Sequence, residues 1–145
     1  MKLQKATRCA LFAIIELAAD PARQLSATDI AAKYGISVNH LAKVLRDLGR
    51  AGLVESVRGA GGGYRFSGNA KRATLYDVID LFEDIRADSV QHPEPADATE
   101  IGQGLSLLFE EIDGLAQATL RSITIDTLLK LTQKRRRRAA DPAGS

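Results

Sequence analysis

Residues 28–66 read TDIAAKYGISVNHLAKVLRDLGRAGLVESVRGAGGGYRF. A short apolar-periodic run, Ile30, Ala31 and Tyr34, stops at Gly35, where left-handed backbone permits a sharp turn. Ser37 then caps a second helix with Leu41, Val44, Leu45 and Leu48 on one face, ended by Gly52. Leu53 to Arg58 and Tyr64 to Ser67 have strand composition around the turn Gly59-Ala-Gly-Gly-Gly63. Helix, turn, helix and hairpin in this order predict a winged helix-turn-helix, an arrangement that presents its second helix to a major groove.

Upstream, Ser26-Ala-Thr-Asp29 has capping-box form, with Asp29 replacing the usual Glu. The first helix is expected from Thr7, as N-cap, to Ala19, with Leu11, Ile14, Ile15 and Ala18 on its buried face. Asp20-Pro21 ends it. Lys5 and Arg8 remain on its polar side. Downstream, Thr74-Leu-Tyr-Asp77 caps a helix whose core face is Leu75, Val78, Ile79 and Phe82. Asp77, Asp80, Glu83 and Asp84 read as its solvated side. Residues 87–98 are acidic, hold Pro93, Pro95 and His92, and lack periodicity, which predicts a linker.

From there Ile101, Leu105, Leu108, Ile112, Leu115 and Thr119 recur at alternating steps of four and three, widened by Phe109. Such a stripe buries itself against a second copy or against its own N-terminal domain. Thr124 caps a last helix with Ile125, Leu128, Leu129 and Leu131. The end, KRRRRAADPAGS, is expected to be disordered past Lys134, and either adds nonspecific affinity for a polyanion or is a solvated terminus. The resulting organisation is mainly α with a two-stranded β-wing: 1–86 the winged unit, 87–100 a linker, 101–133 a dimerisation helix and C-terminal helix, 134–145 a basic tail.

Charge follows this division. The net is +7 over 1–72, −10 over 73–129 and +5 over 130–145, within a total of +2. A basic first half predicts a polyanionic partner for that half alone. The apolar run 10–19 is too short to span a bilayer and is broken by Glu16; no signal peptide or membrane partner is expected, and the cytoplasm is the expected compartment. One cysteine excludes a disulfide framework within the chain. Cys9 is read as a small core residue, with a redox switch as the sharper alternative.

The residues placed for DNA are Ser37, Val38, Asn39 and His40 in the first turn of the second helix, Lys43 and Arg46 behind them, and Arg58, Gly61, Gly62, Tyr64 and Arg65 in the wing. Asn pairs bidentately with adenine, Val meets a thymine methyl, and Lys and Arg suit phosphate or guanine. Ser37 also suffices as a cap, and His40 reads equally as a solvated residue. Arg58 suits a narrow minor groove. The Gly run is not a phosphate cradle, because it joins two strands and precedes no Lys-Ser/Thr. No nucleophile–base pair or paired carboxylates point to an enzyme. The runner-up is a winged-helix protein-interaction module that does not read DNA sequence.

The run GISVNHLAKVLRDLGRAGLVESVRGAGGGYRF resembles the signature of the IscR/NsrR-type (Rrf2) bacterial transcription regulators. The opening MKLQKATRCALFAIIELA and the ending LRSITIDTLLKL are similar to that family's first and last helices, so the resemblance spans 1–131. Asn39, His40 and Lys43 look closer to its nitric-oxide-responsive branch. The resemblance implies a homodimer built on a long crossing helix that starts near Ile101 and binds roughly palindromic operators, as a repressor. It implies Arg58 as the minor-groove arginine. Many relatives hold an iron–sulfur cluster through three cysteines before the long helix, with a further ligand from a His or from the first helix. Here residues 87–104 have no Cys, and Arg8 takes the place of the acidic ligand of the nitric-oxide branch. Arginine has no lone pair to offer iron, and one Cys supplies no cluster. No cofactor is therefore expected in one protomer. Relatives without these cysteines sense through a thiol, a small molecule or a partner protein; which of these acts here is left open.

Overall fold

The computed structural model describes residues 2–83 and 94–141; Asp84, His92 and most of the expected linker lie outside them. The elements are α1 (Lys5–Ala19), α2 (Ala27–Tyr34), α3 (Val38–Arg50), β1 (Val54–Val57), β2 (Gly63–Phe66), α4 (Leu75–Ile79), a 3₁₀ turn (Pro95–Ala98), α5 (Glu100–Ser122) and α6 (Ile125–Ala140). Predominantly helical, with one antiparallel hairpin, it is the winged helix-turn-helix with a long added helix.

Helix α1 is the centre of the core. Ala10, Ala13, Ile14, Leu17 and Ala18 are buried against Ile30, Leu41, Leu45, Leu48, Phe66 and Val78. This shifts the expected buried face by part of a turn. Leu11 and Ile15 are only half-buried, because three small residues let α1 approach its neighbours on the other side. Thr7 is not the N-cap either. The cap is Gln4, with no side-chain bond of its own. Thr7 is fully buried, and its hydroxyl donates to Glu83 Oε1 at 2.9 Å, while the Gln4 N–H donates to the same oxygen at 2.6 Å. Glu83 is thus not part of a solvated face. It satisfies an orphan donor of α1 and places a negative charge at the positive end of the helix dipole, where α1 has no acid of its own.

The capping box of α2 forms as the sequence predicts: Ser26 Oγ accepts from the Asp29 N–H at 3.0 Å, and Asp29 accepts from the Ser26 N–H. Gly35 closes α2 at φ 63°, the geometry its sequence position demands. Thr74 and Asp77 form a second capping box on α4. That helix ends at Ile79, earlier than its apolar pattern suggests, and Phe82 packs on the core from the following turn.

In the hairpin Val54 pairs with Phe66, Glu55 with Arg65, Ser56 with Tyr64 and Val57 with Gly63. Leu25 adds a third rung, exchanging backbone bonds with Tyr64 at 2.9 and 2.8 Å. A Cβ on Gly63 would meet the Leu25 carbonyl oxygen at 2.5 Å, so the glycine is required for this close approach.

α5 is anchored at its C-terminal end. Leu120 packs with Tyr76 and Ile79, the Arg121 guanidinium lies over the Tyr76 ring at 4.1 Å, and the Leu75 N–H donates to the Ile123 carbonyl. The rest of α5 stands clear: Ile101, Leu105, Leu108, Phe109, Ile112 and Leu115 are all exposed, Ile101 to 77%. The expected alternative, packing on its own domain, is not what forms.

α6 returns to α1, with Ile125 fully buried in the main core. The last helix therefore completes the winged unit that its sequence neighbour leaves. Beyond Lys134, where disorder is predicted, the helix continues through the four arginines to Ala140. Arginine and alanine are good helix formers, and Arg136 faces Glu16 on α1 at 3.9 Å. No helix among the described residues is long and apolar enough to cross a membrane.

Candidate nucleic-acid interface

Ser37 is the N-cap of α3, its Oγ accepting from the His40 N–H at 3.4 Å. With Leu41, Val44, Leu45 and Leu48 buried, the opposite face is set by helical period: Asn39, Lys43, Arg46 and Arg50 follow one another at steps of four, three and four. Asn39, Lys43 and Arg46 are exposed and have no ion pair or side-chain hydrogen bond among the described residues. Arg50 is pulled aside by Asp47 at 3.8 Å. Val38 flanks this face, 42% exposed, which is costly for a β-branched apolar side chain without a partner.

His40 sits on the other flank, half-buried. Its Nε2 is enclosed with no hydrogen-bonding partner among the described residues. Of the first-turn residues it is the one that faces inward.

The wing separates its cations. Arg58 follows β1 directly, is exposed and carries no acid partner among the described residues. Arg65 pairs across the hairpin with Glu55, both side chains half exposed, so its charge is largely answered within the wing. Strand alternation puts Tyr64 on the same side as Phe66, packed against the core. Gly61 is exposed at the tip with φ 77°. A Cβ on Gly62 would meet the Val57 carbonyl oxygen at 2.5 Å, so that glycine closes the hairpin on itself.

A second constellation lies behind this face and has no counterpart among the expected site residues. Glu16 of α1, only 7% exposed in its side chain, accepts from Lys33 Nζ and from the Tyr34 hydroxyl, each at 2.5 Å. Lys33 and Tyr34 form the last turn of α2, so this carboxylate ties the first helix of the helix-turn-helix to α1. Burial is the largest influence and pushes Glu16 up. The Lys33 ammonium, the Tyr34 hydroxyl and Arg136 together outweigh it and hold the carboxyl below its ordinary range. Burial and the Glu16 carboxylate push the Tyr34 hydroxyl far above its ordinary value. The one sequence signal for this cluster is a Glu inside an otherwise apolar helical run.

Cys9 is 4% exposed. Burial raises its thiol pKa, against the smaller opposing effect of Lys5 and Arg8. It packs as a core residue, with no other thiol in the chain.

Residues 3–131 match the family described as Rrf2, iron-dependent transcriptional regulator. A protein named "Putative HTH-type transcriptional regulator BadM", from Rhodopseudomonas palustris, is 55% identical over 138 residues, covering 95% of this chain and 87% of that protein. The HTH-type transcriptional regulator NsrR of Bacillus subtilis is 41% identical over 85 residues, 58% of each chain. Among solved structures, that of CymR, the global cysteine regulator of B. subtilis, superposes with a TM-score of 0.75 at 28% identity, covering 90% of this chain and 98% of that one.

Proposed function

The chain belongs to the Rrf2 family of transcriptional regulators, and on that premise we propose that it acts as a homodimeric, sequence-specific repressor on a roughly palindromic operator. The observation that carries the reading is the division of the cations. Lys43, Arg46 and Arg58 are exposed and unanswered, whereas Arg50 and Arg65 are held by acids of their own chain. Uncompensated cations beside an exposed Asn39 and Val38 suit a phosphate backbone and base edges.

In this reading α3 enters the major groove, with Asn39 and Val38 reading bases and Lys43 and Arg46 on phosphate or guanine. Ser37 serves as cap. Arg58 enters the flanking minor groove, and Gly61 lets the wing tip approach the backbone. Tyr64 and Arg65 hold the wing in shape. Residues 1–86, completed by α6, form the DNA-binding unit. The exposed α5 stripe, from Ile101 through Leu105, Leu108, Phe109 and Ile112 to Leu115, is buried in the dimer; its heptad-like spacing favours a second copy.

The family description carries iron, and the residues here do not suit it. The chain has one Cys, buried and with a raised thiol pKa, and two His. No three His, Cys, Asp or Glu gather at one place among the described residues. Arg8, on α1, offers no lone pair. Sensing accordingly runs by another route than a cluster.

The test is fluorescence anisotropy with the intergenic DNA upstream of the protein's own gene, against a scrambled duplex, at two salt concentrations. Tight binding to the first alone, weakening steeply with salt, is expected. Equal, weak binding to both duplexes would remove the sequence-specific reading.

A further inference from the structure

A cavity of about 830 Å³ opens between α1 and α6, within the size range of small-molecule sites. Its walls are apolar: Leu11, Phe12 and Ile15 from α1, Leu128 and Leu131 from α6. The DNA-facing side of the molecule does not use it, since these α1 residues lie on the face away from the core that packs α3. Three guanidiniums stand in the same lining, Arg8 of α1 and Arg135 and Arg136 of α6. Among the described residues Arg8 and Arg135 have no carboxylate within reach, and Arg136 has only Glu16, at 3.9 Å.

An apolar trough with unanswered arginine forks has the two halves of one ligand chemistry. A hydrocarbon body gains by leaving water along the walls, and a planar carboxylate matches the guanidinium fork. We propose that this cavity binds a small amphipathic carboxylate, its hydrocarbon body along Leu11, Ile15 and Leu128 and its carboxylate held by Arg8 and Arg135. A bulk anion without an apolar body leaves the walls wet, and a neutral lipid leaves the arginines unanswered.

Occupancy has a path to the helix-turn-helix. Tyr34, the last residue of α2, forms part of the lining, stacks on Phe12 with ring centroids 4.9 Å apart and donates to Glu16. A ligand carboxylate also competes with Glu16 for Arg136. The binding proposal stands on the cavity alone; its effect on DNA rests on the regulator reading.

Calorimetry on the full-length protein without DNA tests it, with decanoate and decan-1-ol as probes. Decanoate is expected to bind once per chain and about tenfold or more tighter than the alcohol, a typical return for a charge-assisted contact. Arg135→Gln should erase that difference. Leu131→Trp, at a half-exposed position that tolerates bulk, should fill the trough and block both probes. Equal affinity for the two probes, or decanoate binding indifferent to Arg135→Gln, would overturn the proposal. So would a dimer that Leu131→Trp splits in sedimentation while decanoate fails to bind, because the trough then seats a second copy of the chain. Retained decanoate binding in a protein that ignores DNA sequence would leave the site standing and remove only the regulatory reading.

Discussion

The Tyr34 hydroxyl donates to the Glu16 carboxylate at 2.5 Å, joining the end of the first helix-turn-helix helix to the central helix of the core. The contact is polar and nearly enclosed, and Lys33 shares the same oxygen. It sets the pose of α2, and through the Gly35 turn the pose of α3.

Glu16→Gln should therefore destabilise the fold at pH 7 by about 1–3 kcal/mol, the usual cost of leaving a buried hydrogen bond poorly satisfied. Lys33 is half exposed and recovers its hydration, so the larger share falls on Tyr34. Because the carboxyl is held below its ordinary value near 4.5, its contribution is present above that pH and is lost as pH falls through the depressed folded value. Urea melts across pH 3 to 7 should show the wild-type advantage over Glu16→Gln shrinking toward the acid end.

Arg58→Ala is expected to weaken operator binding by about 1–3 kcal/mol, read by anisotropy. Arg65→Ala should cost clearly less in affinity, because its charge is already answered by Glu55. Equal losses at the two positions would count against the assignment of Arg58 to the minor groove.

Lys43→Ala should weaken binding to operator and scrambled duplex alike and lower the salt slope by about one unit, as removal of a single phosphate contact does. Asn39→Ala should instead relax discrimination between the two duplexes. A Lys43 variant that altered base preference with the slope intact would move it from phosphate to base reading.

Ile112→Glu, in the middle of the exposed stripe of α5, should convert a dimer to a monomer in sedimentation and lower operator affinity steeply. The position packs on nothing in its own chain, so the melting of the winged unit should be preserved.

Cys9 should react slowly with a thiol reagent in the native protein and rapidly in denaturant. Burial pushes its thiol up and keeps the reagent out. Brief exposure to a mild oxidant should leave DNA binding unchanged; prompt loss would restore Cys9 as a sensor.

Features encoded within a few residues are legible in the amino-acid sequence itself. Both capping boxes, the left-handed turn at Gly35, the buried stripe of α3 and the hairpin order follow from local hydrogen bonding and from periods of 3.6 and 2. The exposed stripe of α5 is legible too, because its spacing repeats over many turns. Partners distant in sequence are not. Glu83 reaches the start of α1 across 76 and 79 positions, Leu25 pairs with Tyr64, and Glu16 finds its donors on α2. None of these leaves a periodic signal, since each depends on where whole elements dock. For the same reason the buried face of α1 is shifted from its apolar pattern: Ala10 and Ala13 weigh little in such a pattern, yet their small size lets neighbouring helices close on that side. Local chemistry thus determined which elements exist and what α3 presents to solvent. Only tertiary packing decided which cations remain unanswered, which carboxylates are buried, and that the arginine run ends as a helix beside the α1 groove.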